Sequence, residues 1–187
     1  MSVAEKLLTI EEFAALPDQG RQCELVRGRL VDLDAPQKLH GLIIGEIACR
    51  LHSHLRKRPI GRVAVGDSGV VTHRDPDSLR GADVAYYSFE RAPVGSTRTN
   101  PDGDPPPEIV WKVMSAEDRW ADVSEEIADY LAAGVLYVAV VEPEICGVHL
   151  YSSGANPRVL RQDDEMTFPG VLPDFRCRVA DLFVTCD

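Results

Sequence analysis

The sequence lacks the cysteine pattern of a disulfide-bonded or zinc-binding protein. Its five cysteines are scattered, and no two of them stand in a CxxC pair. Their odd number and wide spacing do not indicate a disulfide framework or a structural zinc site. We therefore expect reduced thiols with mostly structural roles, as in a cytoplasmic protein.

Long apolar runs are absent as well. No stretch approaches the roughly 20 apolar residues that cross a bilayer. The first residues, MSVAEKLLTIEEF, have no hydrophobic core of the signal-peptide kind. The sequence therefore predicts a soluble, cytoplasmic protein that does not associate with membranes.

Positive charge is scarce, because 20 Lys and Arg stand against 30 Asp and Glu, for a formal net charge of -10. This balance argues against a protein that coats nucleic acid non-specifically, since Lys and Arg supply that affinity. It leaves room for a local basic groove, and it is also compatible with carboxylates gathered around a metal ion. The length of 187 residues and the 44% hydrophobic fraction predict one domain over residues 1–187, with a substantial core.

Three helices are predicted from capping signals and from the spacing of apolar residues. A capping box that begins at Thr9 predicts a short helix at residues 9–16. Apolar residues recur at helical spacing over 40–57 and again over 118–133, and Gly134 is placed to end the last helix.

Strands are predicted between and after these helices. CELVRGRLVDL predicts a hairpin, RVAVGDSGVVTH one or two strands, ADVAYYSF another strand, and GVHLYSS with RVLRQ a terminal meander. EIVWKVMS, the helix that follows it and the β-branched VLYVAVVEP form a candidate βαβ unit with parallel strands. The pattern indicates an α/β or α+β domain, in which ligands gather beyond the carboxyl ends of such strands. The proline-rich residues 92–107 predict a surface loop.

Three charged side chains interrupt otherwise apolar strands, namely Glu24, Asp83 and Lys112. Each alone is compatible with a carboxylate at a strand end or with a lysine that extends its amine to solvent. Together on neighbouring strands they favour a site, because carboxylate oxygens suit Mg²⁺ while water and phosphate complete its coordination. The lysine would then stabilise phosphate charge or orient the attacking water.

Lys112 is the costliest of these residues to bury. Desolvation disfavours the ammonium form and lowers the pKa of a buried lysine. Its neighbour Trp111 must point to the opposite face of the sheet by the strand period, and core packing is its expected role.

Four segments, in order, resemble one known family. TIEEFAALPDQGRQCELVRGRLVDL is similar to the family's opening segment, and RGADVAYYSFER is similar to its RPD segment. PPEIVWKVMSAEDRWADVSEEIADYLAAGVLYVAVVEPE resembles the central segment, and VLPDFRCRVADLF resembles the closing one. Over nearly its whole length the chain resembles the Uma-two family of restriction-endonuclease-like proteins, a branch of the PD-(D/E)xK nuclease superfamily.

The resemblance implies a restriction endonuclease-like mixed sheet flanked by helices, and an endonuclease that hydrolyses nucleic acid phosphodiester bonds. It implies Mg²⁺ or Mn²⁺ as the cofactor and DNA as the first substrate to test. Asp83 and Glu24 match acidic positions of the family. The family has a glutamate at the position of Lys112 and a helix-borne lysine at the position of Glu126, so that these two charges are exchanged here.

The exchange leaves two hypotheses open. In the first, Asp83, Glu24 and Glu126 hold the metal and Lys112 contacts phosphate or water, so that all four are catalytic. In the second, Lys112 and Glu126 form a structural salt bridge, and the protein is a catalytically inactive interaction module, with a homodimer through its terminal strands as one assembly. Two arguments favour the second hypothesis. Mg²⁺ demands near-octahedral oxygens at about 2.0–2.1 Å, and a lysine beside the metal opposes its binding.

Other polar residues have weaker claims. His40 precedes a helix and either caps it or lies near the site, while Asp67, in a glycine-flanked GDSG segment, is interpreted as a turn former. Residues 49–62 hold five basic side chains, which either meet phosphates or favour the end of a helix dipole.

Overall fold

The computed structural model describes residues 6–17, 22–35, 37–95 and 105–183. Part of the predicted proline-rich loop, residues 96–104, lies outside these ranges, as does Cys186. The helices are α1 (Ile10–Ala14), α2 (Lys38–Lys57) and α3 (Trp120–Ala132). The strands are β1 (Cys23–Val26), β2 (Arg29–Asp32), β3 (Gly61–His73), β4 (Ser78–Ser88), β5 (Ile109–Val113), β6 (Tyr137–Glu142), β7 (Gly147–Ser152), β8 (Arg158–Leu160), β9 (Glu165–Phe168) and β10 (Leu172–Arg178).

A mixed sheet dominates the fold, as predicted. Its strand order is β2-β1-β4-β5-β6-β7-β8, and β3 pairs with β4. Strands β5 and β6 are parallel, which confirms the βαβ unit, and the other pairs in this sheet are antiparallel. The β9–β10 hairpin forms a separate two-stranded sheet that the hydrophobic pattern did not predict.

Two strands that pair with the same edge of β4 separate from each other, and this separation positions the site. One edge of β4 pairs with β3 along most of its length. On the other edge, β1 pairs at Leu79 and β5 pairs from Val84 onward. The two strands therefore diverge around residues 80–83, where side chains from other elements can reach the backbone of β4.

The two long helices cover opposite faces of the sheet. Buried residues of α2 pack with Trp111 and Val113 of β5, whereas those of α3 pack with Val110 of the same strand. Trp111 is fully buried and its ring lies 5.2 Å from that of Phe168, centroid to centroid. The predicted core role of Trp111 is thus confirmed, and Lys112 points toward the α3 face.

Two local predictions are also confirmed, the capping box at Thr9 and the end of α3 at Gly134. The side chain of Thr9 accepts a hydrogen bond from the backbone of Glu12, whose carboxylate accepts one from the backbone of Thr9, so that the capping box is complete. Gly134 follows the C-cap of α3 with a φ of +99°, a conformation that glycine adopts at little cost. The four described cysteines are free thiols. None of the helices in the described ranges is long and apolar enough to cross a membrane.

Candidate active site

All four residues proposed from the sequence line one cleft. It lies where β1 and β5 diverge along β4, has a volume of about 270 Å³, and is bounded by the start of α2 and by α3. The lining residues include Glu24 of β1, Asp83 of β4, Lys112 of β5 and Glu126 of α3. The described residues of its wall include nine with carboxylate side chains against three lysines or arginines, so the cleft is strongly acidic.

Lys112 and Glu126 face each other across this cleft, as expected. The Lys112 Nζ atom lies 3.9 Å from Oε2 of Glu126, and both side chains are largely buried. Burial lowers the pKa of Lys112, but Glu126 first and then Asp83 oppose it, and the net result is a pKa above the ordinary value for lysine. The neighbouring carboxylates therefore outweigh the desolvation that burial alone would impose on Lys112.

The carboxyl group of Glu126 has an unusually high pKa. Burial raises its pKa to about 7 against the opposing attraction of Lys112, and repulsion from Glu24 adds to the rise. Its Oε1 atom is buried and has no hydrogen-bond partner among the described residues. Such an oxygen is costly to leave unsatisfied, and it is available to a proton, a water molecule or a cation.

We expect Glu126 to make stability depend on pH. Because its pKa rises from 4.5 to about 7 on folding, the folded state keeps a proton that the unfolded state releases between these values. This stabilisation is complete below the unfolded pKa and is lost as the pH rises to about 7. Between pH values of about 5 and 8 the wild type should lose on the order of 2–3 kcal/mol relative to Glu126→Gln.

Urea unfolding in EDTA at several pH values measures this difference. The matched control is Glu125→Gln, which changes an exposed carboxylate on the same helix and should match the wild type throughout. Parallel stability curves for the wild type and Glu126→Gln would show that the carboxyl group is ionised in the folded protein across this range.

Asp83 is anchored to two other elements. Its Oδ2 atom accepts a 2.6 Å hydrogen bond from the backbone N–H of Val113, and its Oδ1 atom lies 3.4 Å from Nε2 of His40. The hydrogen bond to Asp83 raises the pKa of His40, although burial opposes the rise. Of the two roles considered for His40, the structure therefore shows the one near the site.

Glu24 reaches the same cleft but is occupied by the protein. Its Oε1 atom accepts a 2.7 Å hydrogen bond from the backbone of Gly81, and its Oε2 atom lies 3.2 Å from Nη1 of Arg80. Arg80 also contacts Asp129 of α3 at 2.9 Å. Both oxygens of Glu24 therefore stabilise the region of β4 where β1 and β5 separate.

Asp67 belongs to the site, so its interpretation as a mere turn former is wrong. The register of β3 against β4 shifts between Val65 and Ser68, so that Gly66 and Asp67 together stand opposite Asp83 in a β-bulge. Asp67 lines the cleft with a φ of +52°. Burial, and then repulsion from Asp83, raises its pKa. A glycine inside a strand pattern is the signal for such a bulge, and bulges often direct a side chain into an active site.

The basic residues of 49–62 are mostly engaged away from this cleft. Arg50 contacts Asp181, Arg58 contacts Asp174, and Arg62 donates to the carbonyl of Pro93. These contacts favour structural roles for the three arginines.

The donor chemistry of the cleft suits a hard cation only in part. Oxygen donors are plentiful, and Oε1 of Glu126 is unsatisfied. Among the described residues, however, no group of three or more His, Cys, Asp or Glu side chains is arranged to hold a metal ion. Mg²⁺ commonly takes only one or two carboxylates, with water and substrate phosphate as its other ligands. The cleft fits that mode and not a preassembled three-carboxylate site.

Comparisons with known proteins agree with the fold. The model of the Uma2 family, described as "Putative restriction endonuclease", matches residues 10–180. Among solved structures, the chain resembles one described as "a putative nuclease belonging to DUF820 from Anabaena variabilis ATCC 29413". The TM-score is 0.81, with 19% identity over 94% of this chain and 97% of that chain. No curated protein matches. Because the family match covers most of the sequence, the chain belongs to the Uma2 family.

Proposed function

We propose that the cleft hydrolyses phosphodiester bonds in nucleic acid, with DNA as the first substrate to test and Mg²⁺ or Mn²⁺ as the cofactor. The observation that supports this function is the convergence of Asp83, Lys112 and Glu126, from three different elements, in one cleft of a nuclease-family fold. The acidity of the cleft is consistent with a cation requirement, because phosphate would otherwise meet an excess of negative charge.

Asp83 and Glu126 are the residues that would hold the cation, and Asp67 stands opposite Asp83 as a further candidate. When bound, the cation would offset phosphate charge and make a bound water more acidic. Glu24 remains a ligand only if it gives up its contact with Arg80. These carboxylates thus differ in how free they are to bind a cation, and a substitution at each one can show which of them does.

The side chains of this chain have distinct roles in the proposed reaction. Lys112 keeps its positive charge and can contact a non-bridging phosphate oxygen, where charge builds up in the transition state. Glu126 has a pKa of about 7 without a cation, and a bound cation would favour its ionised form. His40 restrains Asp83 from the start of α2.

We expect Asp83→Asn to remove metal-dependent cleavage of plasmid and single-stranded DNA. The loss should be at least about 100-fold, since changing a residue that merely orients a metal ligand already costs up to about that factor. Gel assays with Mg²⁺ and with Mn²⁺ measure it. The matched control is Asp163→Asn, at a fully exposed carboxylate that does not line the cleft, which should cleave like the wild type. Equal, background-level activity in the wild type and Asp83→Asn would sink the enzyme hypothesis for these substrates.

A second candidate function is a catalytically inactive interaction module of the same fold. It is favoured by one observation, that the oxygens of Glu24 and Asp83 already have partners within the protein. A homodimer through terminal strands remains the expected assembly for this alternative, and β8 carries a half-exposed Val159. Melting shifts with Mn²⁺ distinguish the candidates, because a cation that binds the folded state raises its stability.

A further inference from the structure

A second cavity adjoins the cleft at the carboxyl ends of the parallel strands β5 and β6. Its volume is about 280 Å³, and it shares His40, Ser115 and Asp118 with the cleft. We call it the Trp120 cavity. Its other walls include Leu39 of α2, Met114 after β5, Trp120 of α3, and Glu142, Pro143 and Glu144 at the end of β6.

The indole of Trp120 gives this cavity a fixed aromatic wall. Its Nε1–H donates a 3.3 Å hydrogen bond to Oε1 of Glu142, and its ring meets that of His149 edge-to-face at 4.6 Å. The other oxygen of Glu142 lies 2.7 Å from Nε2 of His149, so that Glu142 contacts both rings. A ring restrained in this way loses little further freedom when another ring stacks on it.

The charge of the cavity excludes a phosphate group. Asp118, Glu142 and Glu144 are acidic, and none of the described residues that line the cavity is lysine or arginine. Leu39, Met114 and Pro143 supply apolar surface. The cavity therefore suits a flat, uncharged group that carries N–H donors for Asp118 and Glu144, because Glu142 is already engaged by Trp120 and His149.

We propose that the Trp120 cavity accepts one unstacked nucleobase of a nucleic acid strand whose phosphate lies in the neighbouring cleft. This inference rests on the proposed function and adds a substrate preference to it. Nucleobases stack on aromatic side chains in single-strand binding proteins, and amino groups of bases donate to carboxylates. A paired base must leave its stack to enter such a cavity, at a cost in free energy. Single-stranded or locally opened strands are therefore the preferred substrates.

Tryptophan fluorescence tests this inference directly, because the chain has two tryptophans and only one lines the cavity. Trp111 is fully buried in the core, so that quenching by an added base reports Trp120. The probe is a short single-stranded oligodeoxynucleotide in Ca²⁺, compared with an abasic oligomer of the same length. We expect the intact strand to quench and the abasic one to bind more weakly without quenching.

Substitutions complete the test. Trp120→Ala should weaken binding of the intact strand by about 5- to 150-fold, the range given by the stacking of one base, while Trp120→Phe should keep most of the affinity. Ala116→Leu narrows the cavity with Trp120 in place and should weaken binding too. Ala155→Leu makes the same change at an exposed turn and should bind like the wild type.

The outcomes separate this inference from the proposed function. In one outcome, the wild type cleaves DNA while Trp120→Ala and Ala116→Leu bind the oligonucleotide as tightly as it does. This result would contradict base binding in the Trp120 cavity and leave the hydrolytic function intact. Quenching by the intact oligonucleotide and not by the abasic one, without any cleavage in Mg²⁺ or Mn²⁺, would support the cavity and contradict the hydrolytic function. A wild type that neither cleaves DNA nor binds the oligonucleotide contradicts both.

Discussion

The double substitution Lys112→Glu with Glu126→Lys is expected to bind Mn²⁺ at least tenfold more tightly than the wild type and to retain metal-dependent cleavage. It places a carboxylate on β5, next to Asp83 on β4, and moves the ammonium group to α3. Two unit charges about 4 Å apart interact by about 4 kcal/mol at an effective dielectric constant near 20. Even a third of this interaction energy is close to the roughly 1.4 kcal/mol that corresponds to a tenfold change in affinity.

The stability of the single variants shows whether Lys112 and Glu126 form a stabilising ion pair. Lys112→Glu alone sets two carboxylates against each other, and Glu126→Lys alone sets two ammonium groups together. Each should lose about 3–5 kcal/mol of unfolding free energy, as when one member of a buried pair is removed. The double variant restores opposite charges and should lie within about 1 kcal/mol of the wild type, a non-additivity that a double-mutant cycle measures.

An exposed pair provides the control for this cycle. Arg176 and Glu165 form a 2.8 Å salt bridge on the surface of the β9–β10 hairpin. Exchanging their charges should change stability by less than about 1 kcal/mol, because exposed pairs contribute little, and should leave Mn²⁺ affinity unchanged. If the double variant at Lys112 and Glu126 gains cleavage that the wild type lacks, the chain is a silenced nuclease. If its Mn²⁺ affinity does not rise, the lysine is not the group that opposes the cation.

The facing of Lys112 and Glu126 could be predicted because it depends on two short-range periods. Side chains alternate along a strand, so that Trp111 and Lys112 must lie on opposite faces. The helical period places Glu126 on the buried side of α3, and a right-handed βαβ connection brings that side onto the sheet. The family resemblance then indicates which two positions to compare.

Other features of the site depend on pairings between distant segments, which no local pattern contains. Glu24 and Arg80 meet because β1 adds to the edge of β4, 56 residues later in the chain. Whether a carboxylate in such a place holds a metal or stabilises backbone depends on its neighbours after folding. The bulge at Asp67 leaves a weak signal, a glycine within a strand pattern, but this also fits a turn.

The β9–β10 hairpin escapes prediction for a related reason. Strand β9 has only four residues, with Met166 and Phe168 buried. The buried residues of β10 are Leu172, Phe175 and Cys177, whose spacing of three and then two breaks the strand period. The hairpin buries Phe168 against Trp111. Its structure is thus stabilised by contacts with the main sheet more than by local preference.

Arg80→Met is expected to lose about 3–5 kcal/mol of unfolding free energy, because it leaves the buried carboxylate of Glu24 without its cation and leaves Asp129 with only the more exposed Arg27. Arg80 is 9% exposed, and its guanidinium lies 3.2 Å from Glu24 and 2.9 Å from Asp129. Urea unfolding at neutral pH measures the loss. Arg178→Met provides the matched control, since its partner Asp163 is fully exposed and the pair should contribute less than about 1 kcal/mol.

Neutralising Glu24 distinguishes lost charge from lost packing. Arg80→Met combined with Glu24→Gln should be more stable than Arg80→Met alone, because the unpaired charge of Glu24 is gone and the introduced amide oxygen can still accept the N–H of Gly81. Equal losses in both would assign the effect to packing of the arginine stem. The single variant Glu24→Gln then decides between the two roles of Glu24. A lower stability with unchanged Mn²⁺ affinity would make it a structural anchor, whereas weaker Mn²⁺ binding would make it a metal ligand that exchanges Arg80 for the cation.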